Sequence, residues 1–117
     1  MEPIPGYQTQ RRTLAPGSGS KTVTKGCTCT VHATGVVNES GKKFWSTKDP
    51  GQKPFTYQAG VGKVITGWDQ GCLGMQEGET RELLIPASEG YGDKGFPAWG
   101  IPGGGTLNFT LECLSIE

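Results

Sequence analysis

A chain of 117 residues with 33 % hydrophobic and 19 % charged positions makes one domain with a modest core. Its 20 Gly and 8 Pro are interleaved with aromatics and strand-like runs, so the composition indicates abundant tight turns rather than disorder. The 11 basic and 11 acidic residues cancel, which leaves no basic face for nucleic acid; no apolar run reaches membrane-span length, and the N-terminus carries no signal-peptide core.

In chain order, Met1 to Gly6, with Pro3 and Pro5, is expected as a loose tail, and residues 1–10 are set apart from a domain over 11–117. Gln8 to Leu14 reads as a weak edge strand, stopped by Pro16-Gly17-Ser18-Gly19. Thr22 to Val37 is the first long strand-like region. Cys27, Cys29, Val31 and Ala33 point one way along it, and Thr28, Thr30, His32 and Thr34 the other. Asn38-Glu39-Ser40-Gly41 is a hairpin turn that returns into Lys43-Phe44-Trp45. Ser46 to Pro54 reads as loop or bulge, and Phe55 to Ala59 alternates as a short strand.

Val64 to Met75 is the only helix candidate. Ile65, Trp68, Cys72 and Met75 fall on one helical face, and Thr66 with Asp69 three positions later resembles a capping box. Gly71 and Gly74 weaken the helix, so it is expected to be short and held by packing. Trp68 reads first as a core residue; the alternative is the floor of an apolar pocket, with the backbone of Val64 and Ile65 at its rim.

Gly78-Glu79 turns the chain into a strand over Thr80 to Ile85. Pro86 to Gly105 is a long irregular loop, a length that in a compact domain usually serves function. Leu107, Phe109, Leu111 and Cys113 alternate in a closing strand, and the change of face at Leu114 and Ile116 indicates a bulge or a fraying end. The sum is an α+β domain: an antiparallel sheet of about five strands with one short helix on its concave face.

Few constellations for chemistry are present. His32 is the only imidazole and reads as a hydrogen-bonded structural residue; there is no nucleophile elbow, dinucleotide fingerprint or phosphate loop. Cys27, Cys29, Cys72 and Cys113 form no Cys-x-x-Cys pair, so no metal or cofactor is expected, and they read as buried thiols in a reducing, cytoplasmic compartment. What stands out is a density of aromatics near turns, which suits an apolar groove with one or two polar anchors. A five-membered ring is a natural guest, which makes proline a candidate ligand.

Several segments carry a resemblance when taken together. They are Val31-His32-Ala33-Thr34-Gly35, Gly41-Lys42-Lys43-Phe44, Lys53-Pro54-Phe55, Val64-Ile65-Thr66-Gly67-Trp68, Met75 to Gly78, Tyr91-Gly92, and Ile101-Pro102 before Leu107-Asn108-Phe109. Their order and spacing resemble the FKBP family of peptidyl-prolyl cis–trans isomerases, from about Arg11 to Glu117. The resemblance implies a strongly twisted antiparallel sheet wrapped around a short helix. It also implies a monomer acting on proline-containing peptides and protein clients, and binding of macrolides such as tacrolimus and rapamycin.

Residue by residue, the resemblance implies that Trp68 is the pocket floor, that the Ile65 amide donates to a ligand carbonyl, and that the Tyr91 hydroxyl donates to another. These three are the expected catalytic residues. Phe44, Phe55, Val64 and Phe109 match the apolar lining, Tyr57 stands beside it, and Phe96, Pro97, Trp99 and Ile101 belong to a flap over it. Two positions depart from the family pattern: Ala33 stands where a tyrosine is common, and Trp45 where an aspartate is common. Trp45 is expected to cover the pocket edge with apolar surface. An active isomerase is the preferred reading; the alternatives are a catalytically weak domain of the same fold that binds peptides or partners, and an unrelated small β scaffold.

Overall fold

The computed structural model describes residues Met1–Glu117. Its elements are β1 (Glu2–Pro3), β2 (Gln10–Ala15), β3 (Thr28–Val37), β4 (Lys42–Ser46), β5 (Phe55–Gln58), α1 (Thr66–Gly71), β6 (Thr80–Ile85) and β7 (Leu107–Ile116). One antiparallel sheet of seven strands runs β1-β2-β6-β7-β3-β4, and β5 pairs with β3. The α+β architecture is the expected one, with seven strands instead of about five. The weak edge candidate is a full strand, and β1 adds a two-residue edge beyond it.

Strict alternation builds the core. Cys29, Val31, Ala33 and Val37 on β3 face Leu107, Phe109, Leu111 and Cys113 on β7, all 3 % exposed or less. The change of face near the end of β7 is a bulge at Leu114: Val31 pairs with Cys113, whereas Thr30 already pairs with Ser115. Cys29 and Cys113 lie with their sulfurs 3.8 Å apart and unbonded, and Cys72 is buried in the same core. The contact with Cys113 and then burial push the Cys29 thiol upward, so it acts as a small apolar side chain.

The helix differs from its expected start. Thr66 is its first residue and Ile65 its N-cap, with no side-chain cap. The Asp69 carboxylate faces backward into the preceding loop, where it accepts the amides of Gly60 (2.7 Å) and Gly62 (2.9 Å). Glycine in this helix has a packing reason. A Cβ on Gly67 would lie 2.5 Å from Ile85 Cγ2, and one on Gly71 would lie 2.7 Å from Leu83 Cδ2. The helix therefore rests almost backbone-on against β6, and Trp68, directly after Gly67, packs against Phe55, Tyr57 and Phe109. Its C-terminal end is tied to the sheet by Arg81, which pairs with Glu79 (2.8 Å) and donates to the carbonyls of Gly71 (2.9 Å) and Leu73 (3.0 Å).

The first ten residues, expected as a loose tail, are docked. Glu2 and Pro3 pair with Arg11 and Gln10, Ile4 is 3 % exposed and Thr9 fully buried. Glu89 fastens this segment by accepting the amides of Gln8 and Thr9, both at 2.8 Å, and the Thr9 hydroxyl at 2.5 Å. Composition alone hides this, because the partner lies 80 residues away in sequence. The loop from Pro86 to Gly105 contains 3-10 turns at Ala87–Glu89 and Pro97–Trp99, and a two-way bridge between Phe96 and Ile101 closes its tip.

Candidate active site

The site grows out of one irregularity in the pairing of β3 with β4. Gly35 pairs with Trp45 while Val36 pairs with Lys43, so Phe44 is an extra, unpaired residue. A bulge of this kind breaks alternation and lets two consecutive side chains serve the same region. Phe44 lies edge-on to Phe109 with centroids 5.6 Å apart, and Trp45 lies edge-on to Phe55 at 6.1 Å. Gly35 makes room: a Cβ there would stand 2.4 Å from Phe44 Cζ and 2.8 Å from Phe109 Cε1. Below the bulge, Thr47 bridges the gap between β4 and β5 along the same edge of β3. Its hydroxyl meets the Ala33 amide and His32 Nδ1, each at 2.9 Å, so the lone histidine is a structural partner as its sequence setting suggested.

Trp68 lies at the centre, 5 % exposed. Ring centroids of Phe109 (5.2 Å), Phe55 (5.5 Å), Tyr57 (5.7 Å) and Trp45 (6.0 Å) surround it in tilted or edge-on contacts. Behind it, burial and then the Cys72 and Cys29 thiols drive the Tyr57 hydroxyl upward in pKa, so it stays neutral. The Tyr57 hydroxyl and the Trp68 indole N–H are both buried without a hydrogen-bond partner.

In front of Trp68 opens a cavity of about 410 Å³. Trp45, Phe55, Val64, Ile65, Trp68, Tyr91 and Phe109, all read as ligand-contacting from sequence, line it. Lys63 and Trp99 complete the lining and were absent from that set. Trp99 sits in the aromatic loop that sequence reading did single out as a flap, and only its depth of reach was hidden. Three expected residues do not line the cavity. Phe44 stands behind it and lines a smaller side cavity of about 180 Å³ with Lys42, Lys43 and Trp99. Phe96 packs on Tyr91 (5.4 Å) and lies parallel to Trp99 (5.1 Å) within the flap. Ile101 is 1 % exposed and buried beneath that flap. The flap itself is tightly built: Gly95 has φ +64° and its Cβ position lies 2.3 Å from the Ile101 carbonyl oxygen.

Two polar groups address this apolar space. The Ile65 N–H, just ahead of the helix, donates to no protein acceptor. Burial raises the pKa of Tyr91, which keeps its hydroxyl protonated as a donor at neutral pH. No cluster of metal-ligating side chains exists. The arrangement can bind, orient and exclude water; it holds no nucleophile paired with a base. Fold and cavity together define a small twisted-sheet domain with an apolar cavity and two free donors at its rim.

Comparison with known proteins gives the same answer. Residues 19–114 match the family described as FKBP-type peptidyl-prolyl cis-trans isomerase. The chain is 47 % identical over 110 residues to peptidyl-prolyl cis-trans isomerase FKBP12 of Arabidopsis thaliana, covering 92 % of this chain and 97 % of that one. It is 44 % identical over 109 residues to FK506-binding protein 1 of Debaryomyces hansenii, covering 93 % and 95 %. With peptidyl-prolyl cis-trans isomerase FKBP2 of Homo sapiens it shares 50 % over 93 residues, which is 80 % of this chain and 63 % of that one. The chain belongs to the FKBP-type peptidyl-prolyl cis-trans isomerases, and its activity is the rotation of peptide bonds that precede proline.

Proposed function

We propose that the cavity over Trp68 is the catalytic site, and that it accelerates X–Pro rotation without covalent or proton-transfer chemistry. The barrier to be lowered is ~18–20 kcal/mol. The twisted amide of the transition state has lost resonance and is less polar than either planar form, so an apolar enclosure disfavours it less than the ground states. That difference is transition-state selectivity. In this reading Trp68, Phe55 and Phe109 clamp the proline ring, while the Ile65 N–H and the Tyr91 hydroxyl hold carbonyls of the flanking chain. The observation that carries it is the free Ile65 donor and the protonated Tyr91 at the rim of a cavity that is apolar but for Lys63.

The same cavity is proposed to take macrolides of the tacrolimus and rapamycin type, in competition with peptide. The working unit is taken as a monomer, since one chain supplies the whole lining. No helix is long and apolar enough to cross a membrane, and four unbonded thiols support a cytoplasmic setting. The test is the exchange rate of a Leu-Pro or Phe-Pro peptide with and without rapamycin. Acceleration that rapamycin abolishes is expected. Peptide binding without acceleration would instead favour a binding module, a role that the bulky Trp45 in the cavity wall would suit.

A further inference from the structure

Lys63 is the one charged residue in the wall of the cavity. An exposed lysine ordinarily belongs to a solvated face and means nothing more. The Lys63 ammonium has no carboxylate partner, as is true of Lys42 and Lys53, whereas Lys43 pairs with Asp49 at 2.6 Å. Two features set Lys63 apart. Its backbone is held in place, because Asp69 fixes the amides of Gly60 and Gly62 immediately before it. It also stands in a local excess of positive charge on a neutral chain: residues 41–69 contain Lys42, Lys43, Lys48, Lys53 and Lys63 against Asp49 and the buried Asp69.

We infer that Lys63 makes this site selective for proline segments with a carboxylate side chain directly beside the proline, and unfavourable to those with an ammonium there. The inference rests on the cavity being the substrate site. Proline entering the apolar space brings its neighbours to the rim, where Lys63 stands. Lys63 is exposed, so its charge acts through solvent and its effect on a bound segment is modest. An exposed ion pair of this type changes affinity by about two- to fivefold. It weakens as salt shortens the screening length to ~3 Å near 1 M.

The test compares matched peptides with Glu, Gln or Lys on either side of the proline. Two quantities are read for each: the isomerisation kcat/KM, and the dissociation constant from quenching of tryptophan fluorescence. The parent is expected to favour the Glu peptide over the Lys peptide by about two- to fivefold at low salt, with the ratio approaching unity at ~1 M salt. Lys63→Glu should invert the order, while Lys53→Gln, whose side chain lies outside the cavity lining, should leave it as in the parent. The inference is overturned if Lys63→Glu retains the parent's order in both readouts. It is overturned too if the parent shows no charge preference. Should no peptide be turned over while the Glu peptide binds tighter and Lys63→Glu inverts this, the selectivity stands and the catalytic reading of the cavity falls.

Discussion

Asp69 offers the sharpest test of how the site is held. Its carboxylate, 2 % exposed, accepts two backbone amides from the loop that delivers Lys63, Val64 and Ile65. Hydrogen bonds to a charged group are worth ~1.5–3 kcal/mol each, so Asp69→Ala should destabilise the domain by about 3–6 kcal/mol. A helix-capping role of the kind its sequence position suggests would cost only about 0.5–2 kcal/mol. Against a typical total of about 5–15 kcal/mol, the first figure threatens the fold and the second does not. Asp69→Asn is the gentler probe: its amide oxygen can serve one donor, but its NH2 group confronts the other, and about half the loss is expected. Urea denaturation supplies the numbers through midpoint and slope. With the Asn variant still folded, kcat/KM should fall by about tenfold or more, because small misplacements of an orienting group can cost up to ~100-fold. A loss under ~1 kcal/mol for Asp69→Ala would sink the loop-fastening argument and restore the capping one.

Trp68→Ala should cost ~3–5 kcal/mol given its near-complete burial, and Trp68→Leu should fold with altered turnover; turnover equal to the parent would contradict a role as pocket floor. Tyr91→Phe should keep its stability and lower kcat/KM by about two- to tenfold, since one neutral hydrogen bond is worth ~0.5–1.5 kcal/mol; a thousandfold loss would demand chemistry that this mechanism lacks. For macrolides, the missing aspartate and tyrosine predict weaker tacrolimus binding, by roughly ten- to a hundredfold, than an Asp-bearing domain gives. Calorimetric titration of the parent, Trp45→Asp and the Ala33→Tyr/Trp45→Asp pair decides this: affinity should recover in the pair beyond the single change, and two folded variants no tighter than the parent would refute it. Burial tends to raise the Glu89 carboxyl, but its hydrogen bonds from Gln8 and Thr9 outweigh that and hold it below its ordinary range. Its contribution to stability is therefore complete above the ordinary carboxylate range and disappears as pH falls through the lowered folded value. The acid limb of a Tm-against-pH curve should flatten in Glu89→Gln; an unchanged limb would remove Glu89 from the account.

The features legible in the sequence are those with a short period. Alternation placed β3 and β7, the Asn38–Gly41 turn placed the hairpin into β4, and the break in alternation after Cys113 marked the Leu114 bulge. Part of the cavity wall was legible from local pattern, because Val64, Ile65 and Trp68 are contiguous with the helix start, whereas Trp45, Phe55, Tyr91 and Phe109 were reached only through the family resemblance. What stayed hidden depends on partners far along the chain or on backbone detours. Asp69 looked like a cap because its spacing from Thr66 is right, yet its real partners are amides with no side-chain signature. Gly71 looked only like a weak helix former until Leu83 came within reach of it, and Gly67, which drew no comment in the sequence, is held against Ile85 in the same way. The extra residue at Phe44 cannot be located without its pairing strand, so Phe44 and Trp45 could not be assigned to different cavities.

The place of β7 has a bearing on how the molecule comes into being. It lies between β6 and β3, so β1, β2 and β6 on one side meet β3, β4 and β5 on the other only through residues 107–116. Both halves leave the ribosome before their junction does. Until it arrives, β6 and β3 each present an unpaired edge of the sort that invites association with other chains. Residue 29 must then find residue 116, and residue 37 must find residue 107, a pattern of distant pairings that slows folding for a chain of this size. The floor of the proposed active site rests on β6 through a helix too short to persist alone, so the cavity is complete only once the keystone strand arrives.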